Sequence, residues 1–280
     1  MEKICGVVVL YNPPKSILEN IESYIKYLDK LYIIDNSEKI NEQEIKKIKL
    51  FSNKIEYTSF SENKGIGKAL NLSLKKFLLS DAEWILTMDQ DSKFEKNDFK
   101  IYLDKVFAED EKNKIGIFSP NHLLKNKKKI EKNKYAKRVM CSGNIISKKI
   151  IKEIGKYNED FFIDEVDHEY CYRVLKKNYK IKVFGDIILN HNLGEINKEV
   201  RIPKFMLPTN HSALRRYYIT RNKMYVFKKY PEVRLKYILT FINDFFKIMF
   251  FENNKKEKLK MMKIGFMHYK KNIVGKYKEA

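Results

Sequence analysis

The first third of the chain alternates short apolar runs with segments whose apolar residues recur at helical spacing. Residues 6–10 form a continuous apolar run typical of a buried strand, and the turn-forming sequence Tyr11-Asn12-Pro13-Pro14 ends it. Further strands are predicted at residues 31–34, 55–59 and 84–88, and apolar residues recur at helical spacing at 17–28 and 70–78. This alternation predicts an α/β fold with a mostly parallel, Rossmann-like sheet flanked by helices.

The second half of the chain continues the sheet and then becomes helical. Strands are predicted at residues 115–118, 139–147 and 181–189, with an exposed lysine-rich loop at 125–138. After Pro208 the pattern is helical, and residues 231–251 carry a broad apolar face. We therefore expect a catalytic domain at residues 1–210 and a basic helical C-terminal segment at residues 211–280.

Charge is the strongest bulk feature of the sequence. The formal net charge is +21, from 57 Lys and Arg against 36 Asp and Glu, and residues 211–280 alone hold 18 basic and 5 acidic side chains. An anionic partner is indicated, either phospholipid, nucleic acid or a phosphate-bearing substrate, although a Lys-rich composition also arises from a biased genome. The three cysteines suggest neither a disulfide framework nor a zinc site, which favours a reducing cytosol. No signal peptide or membrane-spanning run is expected.

Two carboxylates two residues apart follow the strand predicted at 84–88. They are Asp89 and Asp91, in the sequence Thr87-Met88-Asp89-Gln90-Asp91-Ser92. Hard divalent cations prefer oxygen ligands and often keep water and substrate phosphates as the remaining ligands, so this pair suits a metal and diphosphate site. A solvated turn or a helix N-cap explains the same residues without any metal.

Four motifs in the same order along the chain resemble family-2 glycosyltransferases. The motifs are Val7-Val8-Val9-Leu10-Tyr11-Asn12-Pro13, Ile33-Ile34-Asp35-Asn36-Ser37, Glu62-Asn63-Lys64-Gly65-Ile66-Gly67 and Asp89-Gln90-Asp91-Ser92. The last form resembles the bacterial branch that includes rhamnosyltransferases of cell-surface polysaccharide assembly. The resemblance implies a GT-A fold and an inverting, metal-dependent transfer of a sugar from a nucleotide diphosphate to an acceptor hydroxyl.

The resemblance also assigns donor-binding residues. Those that it implies for the base, the ribose, the sugar and the donor pocket are Tyr11, Asn12, Asp35, Asn63, Gly65, Asp89 and Gly143. Asp91 and His191 are implied as ligands of Mg²⁺ or Mn²⁺, and Arg215 or Arg221 would present a guanidinium to the diphosphate. Without the resemblance, Asp35 is read as the cap of the following helix, and the arginines as a solvated helix face.

A second acidic cluster precedes Arg173. It contains Asp164, Glu165, Asp167 and Glu169. Mutual repulsion raises the pKa of some carboxylates in such a cluster, which suits a general base, whereas acids at a helix N-terminus also simply complement the helix dipole. By resemblance, counting back from Arg173, Asp167 is the catalytic base, and the other three are secondary acids or acceptor contacts.

The predicted function is therefore a glycosyltransferase of cell-surface polysaccharide synthesis, acting on a saccharide or lipid-linked acceptor. The resemblance implies dTDP-rhamnose as the donor, with UDP-galactose or another UDP-sugar as the alternative. The alternative from another functional class is a non-catalytic nucleotide-binding protein at the membrane. Nucleic acid is not expected as a partner, because the acidic clusters would repel it. For the C-terminal segment, an anionic membrane surface and a homodimer are both expected alternatives, with the protein at the cytoplasmic face of the cell membrane.

Overall fold

The computed structural model describes residues 2–39, 41–95, 97–123, 133–191 and 208–278. These residues form two compact units. The first unit comprises Met1–Asn158 and Asp167–Asn192, and the second comprises Glu159–Val166 and Leu193–Ala280. The segment 159–166 thus groups with the C-terminal helices, although the chain on both sides of it belongs to the first unit.

The amino-terminal half of the first unit is a parallel βα repeat, as predicted. Its elements are β1 (Ile4–Leu10), α1 (Ile17–Ile25), β2 (Lys30–Asp35), α2 (Glu42–Phe51), β3 (Ile55–Ser59), α3 (Ile66–Leu79) and β4 (Trp84–Asp89). β1 lies between β2 and β4, with Leu10 beside Asp35 and Val9 beside Asp89 in the two ladders. Because the strands are parallel, their carboxyl ends meet at one edge of the sheet, where ligands bind in open α/β folds.

The remaining elements of the first unit extend this sheet with both parallel and antiparallel pairs. They are β5 (Ser92–Phe94), α4 (Asp98–Phe107), β6 (Ile115–Leu123), β7 (Lys134–Tyr135), β8 (Asn144–Ser147), α5 (Lys148–Ile154), α6 (Val166–Lys176) and β9 (Lys180–His191). The strand order is β3-β2-β1-β4-β8-β6-β9-β5, and β7 pairs with β9. The α/β class and the central sheet flanked by helices are therefore confirmed.

Two predictions for the second half of the sheet differ from the structure. The strand predicted at residues 139–147 begins only at Asn144, because Gly143 adopts a φ of 79° in the turn before it, where its N–H donates to the Thr87 carbonyl of β4. Within the predicted loop at 125–138, Lys134 and Tyr135 form β7 on β9. Residues 124–132 lie outside the described residues.

The described part of the second unit contains three α-helices, which confirms the predicted helical C-terminal segment. They are α7 (Ala213–Lys229), α8 (Arg234–Phe251) and α9 (Lys255–Lys270). Ser212 caps α7 by accepting the Arg215 N–H, and Gly265 of α9 lies so close to α7 that an added Cβ would stand 2.5 Å from the Tyr217 carbonyl oxygen. Among the described residues, no helix is both long and apolar enough to cross a bilayer.

Candidate active site

Asp35 is a buried carboxylate at the carboxyl end of β2, and both of its oxygens accept hydrogen bonds. The Ser37 N–H donates to Oδ1 at 2.9 Å, and the Tyr57 hydroxyl donates to Oδ2 at 2.7 Å. Burial and the Asp35 carboxylate raise the pKa of Tyr57 above its usual range, so this hydroxyl remains a proton donor. Asp35 does not cap the next helix, since Asn41 accepts the first N–H groups of α2.

The turn after β1 is held by the side chain of Gln90, the residue between Asp89 and Asp91 in the sequence. The Gln90 amide accepts the Tyr11 N–H at 2.8 Å and donates to the Tyr11 carbonyl at 3.0 Å. The Asn12 N–H donates to Ser37 at 2.8 Å, which ties the same turn to the end of β2. The Tyr11 ring is 44% exposed at this edge, where it is accessible to a planar ligand such as a nucleotide base.

The turn before α3 joins the same edge of the sheet. The Asn36 amide donates to Asn63 Oδ1 at 3.0 Å and accepts the Lys64 N–H at 2.8 Å, while Asn63 also accepts the Gly65 N–H. Gly65 precedes α3 with a φ of 87°, a conformation that costs other residues energy. Asn63 and Gly65 therefore fix the entry of α3 beside the loop that follows β2.

Asp89 ends β4 and lies in a strongly negative environment. Its side chain is half-buried, and its N–H donates to the Ser142 hydroxyl at 3.0 Å. Burial raises the pKa of Asp89 to about 7, and the negative charges of Asp91 and Asp167 add to the rise. Asp89 ends β4, Asp91 follows it and Asp167 lies on α6, so the fold brings the two predicted acidic motifs within electrostatic reach of one another.

This concentration of negative charge fits a divalent cation, which would relieve the repulsion among the three carboxylates. The antiparallel ladder of β5 and β9 pairs His191 with Ser92, the residue after Asp91. The His191 side chain lies outside the described residues, so its role as a metal ligand stays a prediction. Among the described side chains, no three His, Cys, Asp or Glu residues form a complete metal site by themselves.

Gly143 lies in the turn before β8, beneath this edge. Its φ is 79°, and an added Cβ would meet the Pro120 ring at 2.5 Å, so a close protein contact already requires glycine here. The Tyr102 hydroxyl donates to the Gly143 carbonyl at 3.0 Å. Burial, followed by the charge of Asp89, raises the pKa of the neighbouring Cys141 well above its usual value. Cys141 is thus a neutral thiol and is not activated as a nucleophile.

Asp167 and Glu169 occupy the first turn of α6 and differ in their surroundings. Glu169 is buried and accepts the Arg173 Nε–H at 2.9 Å, and Arg173 also donates to the Ile154 carbonyl at 2.9 Å. Asp167 is half-buried, and its Oδ1 accepts the N–H of His168 at 2.8 Å. Glu169 is consequently committed to a buried ion pair, whereas Asp167 keeps part of its carboxylate at the surface.

In the second unit, a strained loop precedes Asp167 in the chain. Phe162, Asp164 and Glu165 have φ values of 61°, 62° and 63°, each in the left-handed region that non-glycine residues rarely adopt. The buried Asn222 amide of α7 holds this loop by donating to the carbonyls of residues 161, 163 and 164 at 2.7 to 3.1 Å. Glu165 is buried and accepts a hydrogen bond from Tyr237.

The two arginines predicted to contact a diphosphate have different surroundings. Arg215 is half-exposed and pairs with Asp164 at 3.1 Å. Arg221 is fully buried, and its guanidinium donates to Asn222, to the Tyr217 hydroxyl and to the carbonyls of residues 160, 161 and 275. All of its N–H groups are used inside the second unit, which favours a positioning role for Arg221 over a diphosphate contact.

Comparison with known proteins gives relatives both in sequence and in fold. Residues 6–121 match the sequence profile of Glycosyl transferase family 2. The dTDP-rhamnosyl transferase RfbF of Shigella flexneri is 28% identical over 251 residues, which cover 81% of this chain and 80% of that protein. The crystal structure of GalNAc-T7 with UDP, GalNAc and Mn²⁺ superposes with a TM-score of 0.56 at 14% identity, over 68% of this chain and 44% of that one.

A second solved structure, that of S. aureus TarS 1–349 in complex with UDP-GlcNAc, superposes with a TM-score of 0.51 at 15% identity. It covers 96% of this chain and 73% of that one. The fold is thus of the GT-A type. By sequence, residues 6–121 resemble the family-2 glycosyltransferases, and the chain is similar over most of its length to the rhamnosyltransferase.

Proposed function

We propose that this glycosyltransferase moves rhamnose from dTDP-rhamnose to a hydroxyl of a saccharide or lipid-linked acceptor, with inversion at the anomeric carbon, in the synthesis of a cell-surface polysaccharide. The observation that carries the proposal is the electrostatic cluster of Asp89, Asp91 and Asp167 at the carboxyl edge of the sheet. The identity of the donor rests on the similarity to a dTDP-rhamnosyl transferase over four fifths of both chains.

The nucleotide part of the donor would lie against the loops after β1 and β2. Tyr11 offers an exposed ring for the base, and Asn12 is tied to Ser37 beside it. Asp35 is held in one orientation by Ser37 and Tyr57, so it would meet the ribose without reorganising. Asn63, Gly65, Asp89 and Gly143 complete the proposed donor site around the sugar.

Asp91, with His191 from the neighbouring strand, would hold Mg²⁺ or Mn²⁺. The negative charge around Asp89 supports this assignment. The pKa of Asp89 is raised to about 7, and a nearby cation would stabilise its ionised form. The ion, when bound, would neutralise charge on the departing diphosphate. Arg215 is the further cationic side chain that we assign to the diphosphate, with Arg221 holding the segment that precedes Asp167.

Asp167 would act as the general base. As the acceptor oxygen forms its bond to the anomeric carbon, the proton of that hydroxyl passes to the Asp167 carboxylate. The bond between the anomeric carbon and the diphosphate oxygen breaks at the same centre, and its electron pair leaves with the diphosphate. Glu169 is less suited to this role because its carboxylate is buried in the ion pair with Arg173. Asp164 would then act as a secondary acid or acceptor contact, whereas Glu165 and Glu169 are buried in their contacts with Tyr237 and Arg173 and would have a positioning role.

A donor screen tests the proposal. Thermal unfolding would be followed with dTDP-rhamnose, UDP-galactose, dTDP and UDP, each with and without Mn²⁺, because a bound donor stabilises the folded protein by mass action. We expect the largest rise in Tm with dTDP-rhamnose plus Mn²⁺, and slow release of dTDP when no acceptor is present. A larger rise with UDP-galactose would favour a UDP-sugar transferase. Tight nucleotide binding with no turnover on any acceptor extract would favour the non-catalytic binding protein.

A further inference from the structure

The outward face of α8 is the most apolar surface that the described chain exposes. Large apolar side chains recur along it at steps of four and three residues, with exposed fractions of 44 to 72% over its first half. They are Leu235, Ile238, Leu239, Ile242, Phe245, Phe246, Met249 and Phe250. A contiguous exposed apolar stripe of this kind marks an interaction surface rather than an ordinary solvated helix face.

The face of α8 that turns into the second unit is, in contrast, partly charged. Asp244 is largely buried and pairs with Arg216 at 3.3 Å and with Lys223 at 2.8 Å, both on α7. Tyr237, two turns before Asp244, and Ile248, one turn after it, are fully buried. The inward face of α8 therefore carries ion pairs, whereas its exposed face carries phenylalanines, the opposite of an ordinary amphipathic surface helix. The buried ion pairs fix this orientation of the helix.

The exposed charges that flank the outward face are mainly basic, and Glu232 and Glu257 are the exposed acids next to its two ends. Between residues 234 and 256 the acids are Asp244 and Glu252, and both are engaged inside the second unit. Arg234 and Lys236 are exposed in the first turn of α8, and Lys255 and Lys256 are exposed just after its end. An apolar stripe with cations at both ends complements an anionic lipid surface, and two copies apposed through it would instead bring like charges together.

We infer that α8 is a membrane-docking helix, which lies in the plane of an anionic bilayer with its phenylalanines among the acyl chains and its flanking basic residues at the lipid phosphates. At 18 residues it would extend about 27 Å along the surface. This inference is independent of the proposed donor and acceptor, because it rests on the second unit alone.

Vesicle co-sedimentation of the full chain tests the inference. We expect binding to phosphatidylcholine vesicles that contain phosphatidylglycerol, and weaker binding to pure phosphatidylcholine. The double variant Phe246→Ser with Phe250→Ser should lower the partition coefficient by about tenfold or more, since two exposed aromatic side chains are lost. The matched control is Leu50→Ser with Leu79→Ser, which removes side chains that are 75% and 83% exposed in the first unit and should leave binding unchanged.

Far-UV circular dichroism of each variant would show that its helices are intact, as expected for substitutions at exposed positions. The inference is overturned if the native chain does not bind the anionic vesicles, if it binds both vesicle types equally, or if the phenylalanine variant binds as well as the control. It is also overturned if sedimentation without lipid shows a dimer that the phenylalanine variant splits, because α8 would then be a subunit interface.

Discussion

Asp89 should destabilise the protein when no cation is present, and replacing it with Asn should stabilise the fold. A folded-state pKa near 7, against 3.8 for an ordinary aspartate, means that ionising Asp89 opposes folding. The full shift corresponds to an upper limit of about 4 kcal/mol, and we halve it to about 2 kcal/mol because the side chain is only half-buried. For a chain of this length, Asp89→Asn should therefore raise Tm by about 4 to 8 °C at pH 8.

The sign of the pH dependence is fixed by the raised pKa. Protonated Asp89 favours the folded state, so the penalty is absent below pH 3.8, grows as the pH rises, and is complete above about pH 7. The Tm difference between Asp89→Asn and the native chain, measured with chelator by differential scanning fluorimetry, should follow this curve. The control is Asp104→Asn, at an exposed acid on α4 that pairs with Lys100. Equal Tm values for Asp89→Asn and the native chain at pH 8 would refute the reasoning.

Three further substitutions test other parts of the structure. Asn222→Ala removes its hydrogen bonds to three carbonyls of the strained loop, of which that of residue 161 still accepts from Arg221. The free energy of urea unfolding should fall by about 2 to 4 kcal/mol, whereas no change would show that Asn222 does not stabilise the loop. Gly143→Ala combines a left-handed φ with a clash against Pro120, so a loss of about 2 to 4 kcal/mol is expected, and a neutral result would contradict the close contact. Tyr57→Phe removes a donor to the buried Asp35 carboxylate, which should cost about 1 to 3 kcal/mol and weaken nucleotide affinity in calorimetric titration, and unchanged affinity would separate Asp35 from the donor site.

Local patterns were sufficient to predict the parallel half of the sheet, because β1, β2 and β4 are continuous apolar runs that burial on both faces requires. Helix α2 was not predicted, and only Ile48 of its residues is buried, so its apolar stripe is too weak to recognise. For α8 the sequence showed an apolar and a polar side but not which one faces the protein. That choice depends on Arg216 and Lys223, which pair with Asp244 from another helix.

In the candidate site, too, some features were predictable from the sequence and others were not. The motifs at Asp89 and Asp167 were recognisable from residue type and order, and the structure brings them within electrostatic reach. Hydrogen bonds between distant segments were not predictable from local pattern. Gln90 lies within the quoted acidic motif, yet its role in holding the Tyr11 turn depends on a partner 79 residues away. Arg221 was assigned to the diphosphate by the family resemblance, and only its burial in the structure reveals the backbone carbonyls to which it donates.

The most direct test of the central claim is the rate of rhamnosyl transfer by Asp167→Asn beside its affinity for dTDP-rhamnose. If Asp167 removes the acceptor proton, transfer should fall by at least about 100-fold while the dissociation constant of the donor stays within about threefold of the native value. Asp104→Asn should retain both properties. A fully active Asp167→Asn enzyme, or one that no longer binds the donor, would contradict the assignment of Asp167 as the base.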